Sequence, residues 1–137
     1  MAAILLSIKP QYVEKILSGV KAFEYRKHIP KQEIDLIVIY ETSPQKRIVG
    51  IAEVKGILKD TPKGLWESTK EKGGVTKKAY MEYFKVSKEA YAFILGPIRK
   101  FKNNYELDQL GISQPPQSYV YINDKQMGLF DEELIYV

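Results

Sequence analysis

Between Arg47 and Leu58 every second residue is apolar or small: Ile48, Gly50, Ala52, Val54, Gly56 and Leu58. The intervening positions carry Glu53 and Lys55. This two-residue period is that of a strand with one buried face. Glycine and alanine on an inward face fit a sharply curved strand, or a backbone that another group approaches closely. A chain built around such a strand has to supply a curved, β-rich wall and neighbours to cover it.

Those neighbours are legible on either side. Ala3 to Ile8 is an apolar run of strand length. Pro10 suits a first helical position, Tyr12, Val13, Ile16 and Leu17 share one helical face, and Gly19 suits a C-terminal cap, so a helix is expected over 10–18. Ala22 to Lys27 alternates, with Phe23 and Tyr25 on one side and Glu24 and Arg26 on the other. Leu36 to Tyr40 is continuously apolar, as in a central strand buried on both faces, and Thr42-Ser43-Pro44 turns it. Helices are expected over 61–72, opened by Asp60-Thr61-Pro62, and over 76–85, capped by Thr76. Ala90 to Leu95 is a further strand that Pro97 should end, and Ser118 to Ile122 is the last. Strand, helix, three strands, two helices and more strands make an α+β open barrel.

At 137 residues the chain has the size of a single domain, and 1–137 is read as one unit. Its segment 123–137 is expected to be an acidic tail docked on the body. There is no Cys and only one His, His28, which argues against disulfides, thiolate metal sites and a Ser-His-Asp triad. No metal and no cofactor are expected. The apolar start is too short for a signal peptide or a membrane span, so a cytoplasmic protein without membrane contact is expected. Residues 1–102 carry 20 Lys and Arg against 11 Asp and Glu, a balance of +9. Residues 103–137 carry one against six, a balance of −5. A basic body fits an anionic partner. It also fits a surface merely solvated by lysine.

Two segments concentrate candidate ligand contacts. In the first, Lys21, Glu24 and Arg26 would project together; the cations suit phosphate, and the carboxylate accepts from an exocyclic amino group such as that of cytosine. An inert surface ion pair is the competing reading. In the second, Thr42 and Ser43 precede Lys46 and Arg47, and hydroxyls with cations suit a phosphate or a base edge. A hairpin turn with a solvated basic tip competes. The lysines at 70, 72, 77 and 78 would track a backbone or be a solvated loop. Trp66, Tyr80, Tyr83 and Phe84 lie at helical spacing and are expected in the core. Pro115 and Pro116 would place Gln117 at a pocket rim.

These same residues resemble a known family. Leu5-Leu6-Ser7-Ile8-Lys9-Pro10, the short helix, the Gly19-x-Lys21-x-x-Glu24-x-Arg26 element and Tyr40-x-Thr42-Ser43-Pro44 are similar to ASCH domains, a branch of the PUA-like superfamily. The resemblance spans most of residues 3–122. It implies a PUA-like open β-barrel with helices flanking a cleft, and binding of RNA or nucleotides there by Lys9, Lys21, Glu24, Arg26, Thr42 and Ser43. One ASCH subgroup acts as amidohydrolases on N4-acetylcytidine, with a Lys at the place of Lys21, a Thr nucleophile at the place of Glu24 and a later Glu corresponding to Glu71. Glu24 departs from that pattern. An RNA- or nucleotide-binding module is therefore expected. The alternatives are a small hydrolase, either an N4-acylcytidine amidohydrolase or a ribonuclease, using Lys21, Glu24 and Glu71, and a regulatory domain for an acidic protein.

Overall fold

The computed structural model describes residues 1–130 and the backbone of 134–136. The strands are β1 (Ala3–Ile8), β2 (Phe23–Arg26), β3 (Leu36–Glu41), β4 (Arg47–Asp60), β5 (Ala90–Tyr105), β6 (Tyr119–Ile122) and β7 (Leu134–Tyr136). The helices are α1 (Pro10–Leu17), α2 (Pro62–Thr69), α3 (Lys77–Tyr83) and α4 (Asp124–Met127), and α2 runs into a 3-10 turn at Lys70–Lys72. Thr61 and Thr76 cap α2 and α3, each hydroxyl accepting at 3.1 Å from the backbone three residues on.

The strands form one mixed sheet in the order β2-β5-β4-β3-β1-β6, with β7 also paired to β5. Among the described pairings only β1 and β3 run parallel. Their apolar runs are divided between two faces. Leu5 and Val38 pack into one core cluster with Ile48, Phe101 and Phe130. Ile4, Leu6, Ile37 and Ile39 pack into another with Val13 and Ile16 of α1. A strand covered on both sides needs no polar face, which is why these segments are uninterrupted in apolar residues. A third cluster gathers Tyr25, Leu65, Trp66, Tyr80 and Phe84 between β2 and the helices α2 and α3.

The α+β class expected from the sequence holds, but in place of the expected open barrel the strands make an open mixed sheet that does not close. β3 takes one edge of β1 along its length and β6 the other over Ala3–Leu6, while β2 pairs with β5, so the wall stays open between β2 and the end of β1. Pro97 does not end its strand either. Gly96 and Pro97 fall where the β4–β5 register shifts between Ala52 and Val54, and a bulge is where a missing N–H costs no ladder bond. Of the tail, Phe130 is fully buried and stacks on Phe101 at 4.8 Å. Residues 131–133 and 137 and the side chains of 134–136, including the tail residues Leu134, Ile135 and Tyr136, lie outside the described residues. Among the described residues no helix is long and apolar enough to cross a membrane.

Gly50 shows why the long strand carries small residues. A Cβ there would lie 2.5 Å from the backbone oxygen of Arg99 on β5, too close for any side chain without moving the strand. Gly50→Ala is expected to cost about 1–3 kcal/mol of stability by urea denaturation, as overpacking does.

Candidate ligand cavity at the open seam

Where the sheet fails to close, β1 ends, α1 begins, and the α2–α3 arm folds over β2. A cavity of about 470 Å³ lies between them, a size usual for small-ligand sites. Lys9, Lys21, Glu24 and Arg26 are on its wall, together with Tyr12, Tyr25, Tyr80 and Tyr83.

Its polar floor is an ion cluster taken out of water. Glu24 is 6% exposed and Lys21 only 3%. Arg26 donates to Glu24 Oε2 twice, from Nε at 3.1 Å and from Nη2 at 2.8 Å. The same Nη2 donates to the Ser7 carbonyl at 2.9 Å, so the arginine spans the gap that no ladder closes. Lys21 Nζ donates to the Gly73 carbonyl at 2.6 Å and lies 3.7 Å from Glu24 Oε1. Its ammonium also sits over the rings of Tyr25 and Tyr12, at 4.8 and 5.4 Å. Glu24 Oε1 has the Lys21 ammonium as its ion-pair partner. One carboxylate oxygen is thus held by two arginine bonds, and the other by the longer contact with Lys21.

Burial lowers the pKa of Lys21 from its ordinary value; Glu24 opposes the shift, and Arg26 and Lys15 add to it. Burial likewise raises Tyr25 and Tyr80. The Thr69 hydroxyl donates to the Leu65 carbonyl at 2.6 Å, so in its 2.6 Å contact with Tyr25 the tyrosine is the donor. Tyr80 donates to the Pro62 carbonyl at 2.7 Å. These bonds fix two of the aromatic walls.

The arm is held down at Gly73-Gly74. Lys15 reaches the Gly74 carbonyl at 3.1 Å and Ala22 N–H the Lys72 carbonyl at 2.8 Å. Gly74 has φ +67°, and a Cβ there would lie 2.6 Å from Lys21 Cβ; at Gly73 it would strike the Tyr25 hydroxyl. Only glycine lets the arm come this near the lysine.

The expected grouping therefore forms in part. Lys9, Lys21, Glu24 and Arg26 come together, and Gln117 joins them at the rim. Glu24 and Arg26 are not the exposed surface pair considered as one reading. Thr42, Ser43, Lys46 and Arg47 do not line the cavity. The Thr42 N–H does bond the Ile8 carbonyl at 3.0 Å, but the turn continues past the end of β3, where Ser43 and Lys46 are exposed and Arg47 pairs with Glu41 at 3.3 Å. The reason is register: Glu41 lies opposite Ile8 on one side and Arg47 on the other, so the hairpin tip overshoots the seam by one strand. Glu71 is exposed in the 3-10 turn and is not on the wall either. Tyr83 is 40% exposed, a correction to its expected place in the core, whereas Trp66, Tyr80 and Phe84 are buried. Tyr12, Tyr25 and Glu82 also line the cavity and had no sequence signal beyond helix and strand periodicity. Among the described residues no three His, Asp or Glu side chains gather as a metal site would require.

Lys21 makes a pH prediction. Its folded pKa is lowered, so the unfolded chain holds the proton more tightly, and stability contributed at this site rises with pH up to the ordinary lysine value of 10.5. Denaturant melts from neutral to alkaline pH should show wild type gaining on Lys21→Met. A constant gap would mean that the ammonium is not desolvated.

Comparison with known proteins extends the geometry. The family model for the ASCH domain matches residues 6–101. The chain is 31% identical over 130 residues to a protein named ASCH domain-containing ribonuclease of Zymomonas mobilis, covering 89% of this chain and 85% of that one. The crystal structure of ASCH from Zymomonas mobilis superposes with a TM-score of 0.88 at 27% identity, over 98% of this chain and 97% of that one. Large ribosomal subunit protein uL22 of Ureaplasma parvum is 21% identical over 120 residues; the match spans 87% of this chain and only 39% of that protein. The motif at the seam, the matching family model and the shared architecture agree: this chain belongs to the ASCH domain family, a branch of the PUA-like domains.

Proposed function

We propose that the cavity holds one nucleotide of single-stranded RNA. The observation that carries this reading is the division of labour within Glu24: Oε2 bound twice by Arg26, Oε1 held only by the longer 3.7 Å contact with Lys21, in a pocket walled by tyrosines. Tyrosine faces suit a flat base, because stacking requires only a π-surface. An exocyclic amino group donates to Glu24 Oε1, as cytosine N4 does to a carboxylate, while Arg26 and Lys21 donate to the acceptors beside it. Lys9, exposed at the mouth, meets the phosphate.

The geometry favours binding over amide hydrolysis. A carboxylate pinned by two arginine bonds is a poor replacement for a threonine nucleophile, and Glu71 stands off the wall. A second reading, RNA cleavage, is favoured by the relative named a ribonuclease. In it the 2′-oxygen gives up its proton and bonds the adjacent phosphorus, the bond to the 5′-oxygen breaks, and that oxygen takes a proton. The products are a 2′,3′-cyclic phosphate and a 5′-hydroxyl. A lysine with lowered proton affinity and a nearby guanidinium are groups that such a step uses.

Fluorescence anisotropy with labelled single-stranded RNA tests the binding. Affinity should fall with salt, by a slope of about 0.7 for each phosphate neutralised. Lys21→Ala and Arg26→Ala should each weaken binding by about tenfold or more, as loss of a charged hydrogen bond does. Lys77→Ala and Lys78→Ala should have little effect; equal losses at all four positions would mean a diffuse basic surface. The same samples, resolved on a gel, report cleavage. Turnover of N4-acetylcytidine that disappears in both Lys21→Ala and Glu24→Ala would instead make Glu24 a catalytic base.

A further inference from the structure

At the mouth of the cavity a lysine rests on an exposed aromatic ring. Lys27 Nζ lies 4.7 Å from the centre of the Tyr83 ring. Tyr83 belongs to the wall, yet 40% of the residue is open to solvent. Its position is set from behind by Phe84, 4.8 Å away and buried in the core. Lys27 has no ion pair among the described residues, and Lys9, also at the mouth, has none. Glu82, next to Tyr83 in the chain, lines the cavity but is not paired with Lys27.

We infer that Lys27 and the exposed part of the Tyr83 ring form a second nucleotide subsite at the mouth of the cavity, so that the ligand is an RNA strand of at least two nucleotides rather than a free nucleotide. This inference rests on the RNA reading above and specifies its substrate class. A mononucleotide in the cavity would meet Lys21, Glu24, Arg26 and the inner tyrosines but would leave the outer part of Tyr83 and the uncompensated Lys27 without a role. A neighbouring base stacks on the exposed ring, and its phosphate draws the Lys27 ammonium off that ring. The exchange is favourable in direction, since an exposed cation–π contact is weaker than a base stacked on an aromatic side chain. The rigid backing from Phe84 keeps the ring in place while the flexible lysine moves.

The experiment compares mononucleotides with tetranucleotides of the same base, CMP with rCCCC and AMP with rAAAA, by calorimetric titration. For the base that binds, wild type should hold the tetranucleotide at least about tenfold more tightly than the mononucleotide. In Tyr83→Ala and in Lys27→Gln that ratio should fall about tenfold, while Tyr83→Phe, which keeps the ring, should retain it. Lys27→Gln changes a side chain with no ion pair among the described residues, so its result stands even if Tyr83→Ala folds poorly. Equal affinity of wild type for both probes, or a ratio unchanged in Lys27→Gln, overturns the second subsite and leaves the cavity reading intact. Absence of binding by all four probes overturns both.

Discussion

A carboxylate removed from water must be compensated, and Glu24 is compensated by two cations that each have a second attachment. Arg26 carries its attachment across the open seam to the β1 backbone. Lys21 carries its own to the carbonyl of the α2–α3 arm. Three parts of the chain that share no ladder, the end of β1, the short β2 and the arm over it, are thereby set relative to one another around a single acid. The cavity is the space they leave. Removal of any one member would strand a buried charge, so the cluster serves as the scaffold of the seam.

The seam exists because of strand arithmetic rather than sequence chemistry at the site. β6 covers β1 over Ala3–Leu6 and β2 pairs with β5, so the end of β1 at Ser7 is joined to β2 by the Arg26 side chain and not by a ladder. Side chains then perform the closure that backbone hydrogen bonds would perform in a barrel. A side-chain closure leaves room for a ligand, and the aromatic cluster of Tyr25, Tyr80 and Phe84 keeps that room from collapsing. The Zymomonas mobilis protein shares this architecture at 27% identity, as expected where a fold is a support and the chemistry lies in a few positions on it.

The wider charge distribution complements the local one. The +9 balance of residues 1–102 provides a long-range field that falls off with salt, whereas the ion pairs that buried Lys21 and half-buried Arg26 make with Glu24 are screened far less.

Local periodicity was sufficient to place most of the elements. The helical face of Tyr12, Val13 and Ile16, the alternation of Phe23 to Arg26 and the threonine caps are short-range patterns, and the structure places α1, β2, α2 and α3 where those patterns lie. The Gly-x-Lys-x-x-Glu-x-Arg spacing also marked the ion cluster, because Lys21, Glu24 and Arg26 lie within one turn and one strand, where reach is set by neighbouring residues. What depends on partners distant in the chain could not be read in that way. Strand order decided that the sheet stays open, that Thr42, Ser43, Lys46 and Arg47 overshoot the cavity, and that Pro97 falls in a bulge instead of ending a strand. Lys21 is buried with its ammonium on the Gly73 carbonyl, in an arm some fifty residues away. Periodicity says which face a side chain takes; only the packed sheet and helices say whether that face meets water, a core or a cavity.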